Sequence, residues 1–342
     1  MRHVELVIAS SLEPGLVDRI RRIDGVRVTY DPALLPQPRY RCDHVGHPLE
    51  RSPEDERRWR GYLAEAEVLF DFDYTNLPTL KTLIPNVRWI QATSTGIGQL
   101  LIRTGLIDNS ITFTTAKGIH AKPLADFVTM AILWFAKDGF RMTREQAARQ
   151  WTRYCGRDVQ GATVGIVGFG NIGREVAKVC RAMGMRIVAT SRTLRAGASD
   201  SDADQIISVS NLTALLGVAD YVVLAVPHTP QTERLLGGAE LAAMRPGAVL
   251  INVARGAVVD EAALIAALRD GHLGGAALDV FSTEPPAADN PLWSMPNVLI
   301  SPHSASTVES ENNRLTDLFC ENLVRYMRGE ALLNVFDRER LY

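Results

Sequence analysis

Three short segments, far apart in the chain, carry residue types suited to acid–base chemistry on an anion. They are Asn252-Val253-Ala254-Arg255-Gly256, Leu278-Asp279-Val280-Phe281-Ser282-Thr283-Glu284-Pro285 and Ser301-Pro302-His303-Ser304-Ala305. A guanidinium is a planar fork of donors that can grip a carboxylate with two hydrogen bonds. An imidazole titrates close to neutral pH and can give or take a proton there. A carboxylate behind the ring would orient it and favour its protonated form. Taken singly, each residue also admits a structural reading: Arg255 as an ion-pair partner, Glu284 as a solvated loop acid, His303 as a satisfied loop histidine.

A second signal lies upstream. Gly168-Phe169-Gly170-Asn171-Ile172-Gly173 spells G-x-G-x-x-G directly after the apolar run Thr163-Val164-Gly165-Ile166-Val167, and a helical pattern over 174–183 follows. Gly168 permits a tight turn, Gly170 lets a pyrophosphate approach the backbone, and Gly173 lets strand and helix pack closely. The helix N-terminus then offers free N–H groups to phosphate oxygens. A lone motif of this kind is weak, since glycines also serve ordinary turns, but its strand–turn–helix context predicts a dinucleotide site. The next strand ends in Ser191-Arg192, with Arg195 close behind, where an NAD site normally presents Asp or Glu to the ribose hydroxyls. A guanidinium pairs with a 2′-phosphate that a carboxylate would repel, so NADP(H) is the favoured cofactor. NAD(H) remains the alternative if those arginines only face water.

The elements that must position these groups read as alternating strands and helices, which argues for parallel α/β sheets. In the first third, strands are expected at 4–9, 26–30, 68–72, 87–91 and 111–115, with helices near 15–22, 53–66, 77–84 and 97–104. A long helix is expected from about 122 to 150, joining two domains or forming a subunit interface. Six further strands follow, at 163–168, 186–190, 221–226, 248–254, 276–281 and 298–301, which is a full doubly wound sheet. A last helix over 307–328 would pack back on the first domain. Residues 31–53 carry Pro32, Pro36, Pro38, Pro48 and Pro53 without a clear period, the signature of a functional or disordered loop. Within it Cys42, His44 and His47 form C-x-H-x-x-H, which lacks a clear fourth metal ligand; no metal is expected. Arg39 and Arg41 in the same loop could meet an acidic substrate or face water. Trp134, Trp151 and Trp293 read as core residues, and His228 as a neighbour of the cofactor.

Composition excludes other classes. Lys plus Arg number 37 against 39 Asp plus Glu, a net charge of −2, so there is no basic footprint for nucleic acid and no polybasic tract for a membrane surface. The four cysteines include no C-x-x-C pair, which fits a reducing cytosol. The N-terminus reads as a strand rather than a signal peptide, and the longest apolar run, 127–136, is too short to span a bilayer. A cytoplasmic location is therefore expected.

In the order of its motifs the chain closely resembles the D-isomer-specific 2-hydroxyacid dehydrogenases. The resemblance runs nearly the whole length and is strongest from Val164 to His303, including Pro227-His228-Thr229-Pro230-Gln231-Thr232, Met244-Arg245-Pro246-Gly247-Ala248 and Pro291-Leu292-Trp293. Thr93-Ser94-Thr95-Gly96-Ile97-Gly98 looks like the family's substrate-side glycine loop. The resemblance implies two doubly wound parallel-sheet domains, with a Rossmann-type cofactor domain (119–304) inserted in a flavodoxin-like substrate domain (1–118) to which 305–342 returns. It implies catalysis by Arg255, Glu284 and His303, and a carboxylate site completed by Thr95 and Gly96. It also implies cofactor contacts from Gly168, Gly170, Asn171, Ile172, Gly173, Ser191, Arg192, Val226, Pro227, Val253 and Ala254, with Asp279 near the nicotinamide carboxamide. The implied reaction moves a hydride between the dinucleotide and a small D-2-hydroxy acid or its 2-oxo acid, in a homodimer. Glu284 speaks against formate dehydrogenase, which pairs its histidine with glutamine. A phosphoglycerate dehydrogenase is an alternative within the family, although no appended regulatory domain fits in this length. A dinucleotide-sensing corepressor-like binding protein is the alternative from another class, although it would be expected to show recruitment surfaces or tails. The NADP signal suits glyoxylate and hydroxypyruvate reductases best.

Overall fold

The computed structural model describes residues 3–192 and 194–342. The chain folds as two compact units, one built from residues up to Ile119 together with Thr307–Tyr342, the other from His120–Ser306.

The first unit holds five parallel strands, β1 (Val4–Ile8), β2 (Val26–Thr29), β3 (Val68–Phe70), β4 (Trp89–Gln91) and β5 (Thr112–Thr114), in the order β2-β1-β3-β4-β5. The inner strands β1, β3 and β4 are mostly apolar and buried on both faces, as expected where helices cover a parallel sheet, while the edge strand β2 is only partly buried. The helix Glu311–Arg328 belongs to this unit. It starts four residues later than the sequence pattern suggests, after a turn at 307–310. Phe319 packs edge-on to Phe70 and stacks on Trp89, with ring centroids 5.0 and 5.2 Å apart. Beside these rings Asn322 donates to the Gln91 side chain at 3.2 Å and accepts from the Leu333 N–H at 2.7 Å. A buried amide satisfied on both sides fixes the register of a returning helix that apolar contact alone would leave free to slide.

The second unit holds seven parallel strands, β6 (Thr163–Val167), β7 (Arg186–Thr190), β8 (Gln205–Ile207), β9 (Tyr221–Leu224), β10 (Val249–Asn252), β11 (Gly275–Leu278) and β12 (Val298–Ile300), in the order β12-β11-β10-β9-β6-β7-β8. The chain winds outward in both directions from β6 and β9, so the strand order reverses between them. One strand, β8, is absent from the sequence reading. At three residues, on the sheet edge, its pairing with β7 is a backbone matter that leaves little side-chain periodicity to detect.

The long helix expected over 122–150 is two helices, Ala121–Ala136 and Gly139–Ala147. Asp138 between them is left-handed at φ 54°, and its carboxylate caps the second helix by accepting from the Arg141 N–H. The Trp134 ring lies where a Cβ on Gly139 would stand, 2.2 Å away, so only glycine lets the chain turn back here. Among the described residues no helix is long and apolar enough to cross a membrane.

Candidate active site

The glycine-rich turn follows β6. Gly168 has φ 103°, and a Cβ there would stand 2.6 Å from the Ala225 carbonyl oxygen and 2.8 Å from the Val226 side chain. The turn can therefore lie against the end of β9 only with glycine. The helix begins at Asn171 with Gly170 as its N-cap, inside the motif rather than at Arg174. The N–H groups of Asn171, Ile172 and Gly173 consequently lie in the first turn, where no intrahelical acceptor exists. The space a Gly170 Cβ would take is open to 4 Å. This combination of an open backbone and free helix donors suits a pyrophosphate.

The other expected cofactor residues stand at the same edge of the sheet, each just after a strand: Ser191 and Arg192 after β7, Val226 and Pro227 after β9, Val253 and Ala254 after β10, Asp279 after β11. The buried Ser191 hydroxyl accepts from the Leu194 N–H at 3.2 Å. His228 is paired with Glu233, while Thr232 Oγ1 closes the turn by donating to the Pro227 carbonyl at 2.7 Å.

Arg255, Glu284 and His303 follow β10, β11 and β12, three strands adjacent in the sheet. His303 Nδ1 lies 2.8 Å from Glu284 Oε2, and Glu284 Oε1 accepts from the Phe281 N–H at 3.0 Å. Burial pushes the Glu284 carboxyl up. The bond to His303, the Phe281 N–H and the charges of His303 and Arg255 outweigh it and hold the group below the usual glutamate range. Burial pulls the Arg255 guanidinium down, opposed by the charges of Glu284 and Asp279. Arg255 Nη1 donates to the Ala254 carbonyl at 2.7 Å, and the Asn252 side chain ties this turn by accepting from the Ala254 N–H at 3.0 Å and donating to the Arg255 carbonyl at 3.2 Å. A Cβ on Gly256 would fall 1.8 Å from the Phe281 carbonyl carbon. That close backbone approach carries Arg255 to the segment that bears Glu284.

Asp279 has a part the sequence did not disclose. Its Oδ1 accepts from Ser301 Oγ at 2.6 Å and from the N–H groups of Ser304 and Ala305 at 2.9 Å each, and its carbonyl accepts from the His303 N–H. One buried carboxylate thus holds the turn in which His303 sits at φ 53°. Nothing in the sequence pairs Ser301 with Asp279.

Thr95 and Gly96 belong to the first unit, between β4 and the short helix Gly98–Arg103. In the Pro-rich segment Arg39 grips Asp43 with two hydrogen bonds of 2.7 and 3.0 Å, and Arg41 lies near Glu13 and Glu309. Cys42 is directed to the Val308 carbonyl and His44 to the Ser10 hydroxyl; among the described residues no three His, Cys, Asp or Glu side chains are grouped to hold a metal ion. Two of the expected core tryptophans are on the surface. Trp293, in the turn Pro291–Ser294, is 52% exposed, and Trp151 is 97% exposed in 148–158, which runs without helix or strand.

Residues 129–305 match the family described as D-isomer specific 2-hydroxyacid dehydrogenase, NAD binding domain. The chain is 36% identical over 226 residues to an (S)-sulfolactate dehydrogenase of Chromohalobacter salexigens, covering 66% of this chain and 72% of that one. It is 35% identical over 235 residues to a glyoxylate reductase of Thermococcus gammatolerans, covering 66% and 69%. Its fold matches a D-isomer specific 2-hydroxyacid dehydrogenase of Xanthobacter autotrophicus Py2, solved with NADPH and MES, at a TM-score of 0.79 and 28% identity over 99% of this chain and 100% of that one. The chain therefore belongs to the D-isomer-specific 2-hydroxyacid dehydrogenase family.

Proposed function

We propose that this enzyme reduces small 2-oxo acids of the glyoxylate and hydroxypyruvate type to D-2-hydroxy acids, and runs the reverse oxidation, with NADP(H) preferred over NAD(H). The observation that carries the reading is the hydrogen bond between Glu284 and His303 beside the partly buried Arg255. Arg255 holds the substrate carboxylate and turns the keto carbon to one face. His303 gives its proton to the keto oxygen during reduction and takes it back during oxidation. Glu284 keeps the ring oriented through its bond to Nδ1, while Asp279 fixes the turn. The dinucleotide, when bound, supplies or accepts the hydride; the residues suited to hold it are Gly168, Gly170, Asn171, Ile172 and Gly173 for the pyrophosphate and Ser191 and Arg192 for the adenosine end. The NADPH held by the Xanthobacter relative supports the cofactor choice.

Oxidation of NADPH with a panel of glyoxylate, hydroxypyruvate and phenylpyruvate tests the reading. Turnover of the first two that disappears in His303→Ala supports it. No turnover on any of them, with tight NADPH binding, would mark a dinucleotide sensor instead.

The homodimer belongs to the same proposal. Trp151 stands clear of the surface, with Met130, Leu133 and Met142 also exposed, while Tyr154 is pinned by its hydroxyl to the Lys137 carbonyl at 2.7 Å and by the Arg141 guanidinium over its ring. Apolar side chains held out by a fixed segment suit a second copy. Light scattering on Trp151→Ser should then show a shift toward monomer. The four free cysteines suit a reducing compartment.

A further inference from the structure

Arg174 lies in the first turn of the dinucleotide helix, one residue after the last glycine of the motif. A cation in the first turn of a helix opposes the helix dipole, so helix stability does not account for it. Its partners lie outside the helix. Arg174 forks onto Asp200 with bonds of 2.8 and 3.1 Å and reaches Asp202 at 3.2 Å, and its guanidinium lies over the Phe169 ring, 4.6 Å from the centroid. Asp200 is nearly buried, its side chain 10% exposed, and also accepts from the Asp202 N–H at 2.9 Å.

Asp200 and Asp202 belong to the connection between β7 and β8, which begins with Ser191 and Arg192 and contains Arg195. That connection is folded on itself. The Ala198 N–H bonds the Arg195 carbonyl, the Gly197 N–H bonds the Ile206 carbonyl, and Asp200 bridges to Ala203. At its far end Arg181 of the same helix meets Asp204 at 3.2 Å. The helix that carries the glycine-rich turn is therefore tied to the segment expected to meet the adenosine ribose.

We infer that Arg174 is a positioning residue for cofactor selectivity, which holds the Ser191–Arg192 segment against the glycine-rich turn so that a 2′-phosphate meets a preformed site. The inference rests on the proposed NADP(H) preference. Arg174 does not itself contact the phosphate. It removes the need to order the segment when the dinucleotide arrives, and that ordering would otherwise weaken binding.

The test measures binding of 2′,5′-ADP and of 5′-AMP by calorimetry, with no substrate or turnover required. Arg174→Gln and the double variant Asp200→Asn/Asp202→Asn should each weaken 2′,5′-ADP about tenfold and leave 5′-AMP nearly unchanged, with partial recovery in Arg174→Lys. Equal loss for both nucleotides in Arg174→Gln, or tighter binding in the double Asp variant, would mean that Arg174 serves the common phosphate directly, and would overturn the inference. So would unchanged affinities. Arg192→Ala separates the two levels. If it leaves 2′,5′-ADP binding intact, the NADP(H) reading itself fails, whereas loss in Arg192→Ala without loss in the Arg174 and Asp variants removes only the tether.

Discussion

The two sheets present polar clusters of similar composition at the carboxyl ends of their strands, yet the clusters differ in what they can do. In the second unit the side chains of Glu284 and His303 are 38% and 43% exposed, and a carboxylate meets an imidazole that solvent or substrate can reach. In the first unit Ser10 follows β1, Asp71 and Tyr74 follow β3, and Thr93 follows β4, with His44 beside them. Asp71 is fully buried at φ 66° and accepts from Thr93 Oγ1 at 2.8 Å. Burial pushes its carboxyl up, against the lowering by His44 and by the Thr93 and Phe72 hydrogen bonds. The Tyr74 phenol is driven well above its ordinary value, first by burial and then by Asp71. Both clusters stand where open α/β sheets bind ligands. What separates a candidate acid–base pair from a structural brace is access. A carboxylate locked among hydroxyls in the interior stabilises a loop, whereas one that shares its charge with a half-exposed ring can support proton transfer.

The contrast is sharpest for the two histidines. His303→Ala is expected to lower kcat/KM by about 10² to 10⁴, with NADPH affinity retained. His44→Ala in the first unit should change kcat/KM by no more than about tenfold. Steady-state kinetics on both variants would break the comparison if the two losses were equal.

The return of the last helix to the first unit is expected to be the next largest effect. Phe319→Ala removes a ring that touches both Phe70 and Trp89, and large-to-small changes of this kind cost about 3–5 kcal/mol. Urea unfolding should show that loss in the first unit, while the affinity of the second unit for NADPH is kept. Loss of cofactor binding in step with unfolding would show that the units are not thermodynamically separable.

The smallest effects concern pH, and they should have opposite signs in the two clusters. The Glu284 pKa is depressed in the fold. Its contribution to stability is therefore present above the ordinary glutamate value and is lost as pH falls through the lower folded value. Glu284→Gln should remove that acid-side loss and alter the pH profile of kcat. The Asp71 pKa is raised, so native Asp71 disfavours the folded state increasingly as pH climbs from the ordinary aspartate value toward the raised one. Asp71→Asn should thus gain on wild type with rising pH over that interval, as read from melting temperature. A parallel pH response in both variants would show that the two carboxylates are in equivalent surroundings.

Much of this molecule is local in origin. The strand–Gly–helix run at 163–182, the strand periodicities and the Ser191–Arg192 ending each depend on neighbours within a few residues, where side-chain period and backbone freedom act directly. The convergence of Arg255, Glu284 and His303 was legible for a different reason. They end three parallel strands that wind consecutively outward, so topology alone places them side by side.

What tertiary structure alone decided are pairings without a local signature. No spacing links Arg174 to Asp200 or Asp279 to Ser301, and no period shows that Asp71 is sealed while Glu284 is not. The exposure of Trp151 has the same origin. A side chain's protonation, partners and access are set by whatever surface folds against it, and residues distant in the chain supply that surface.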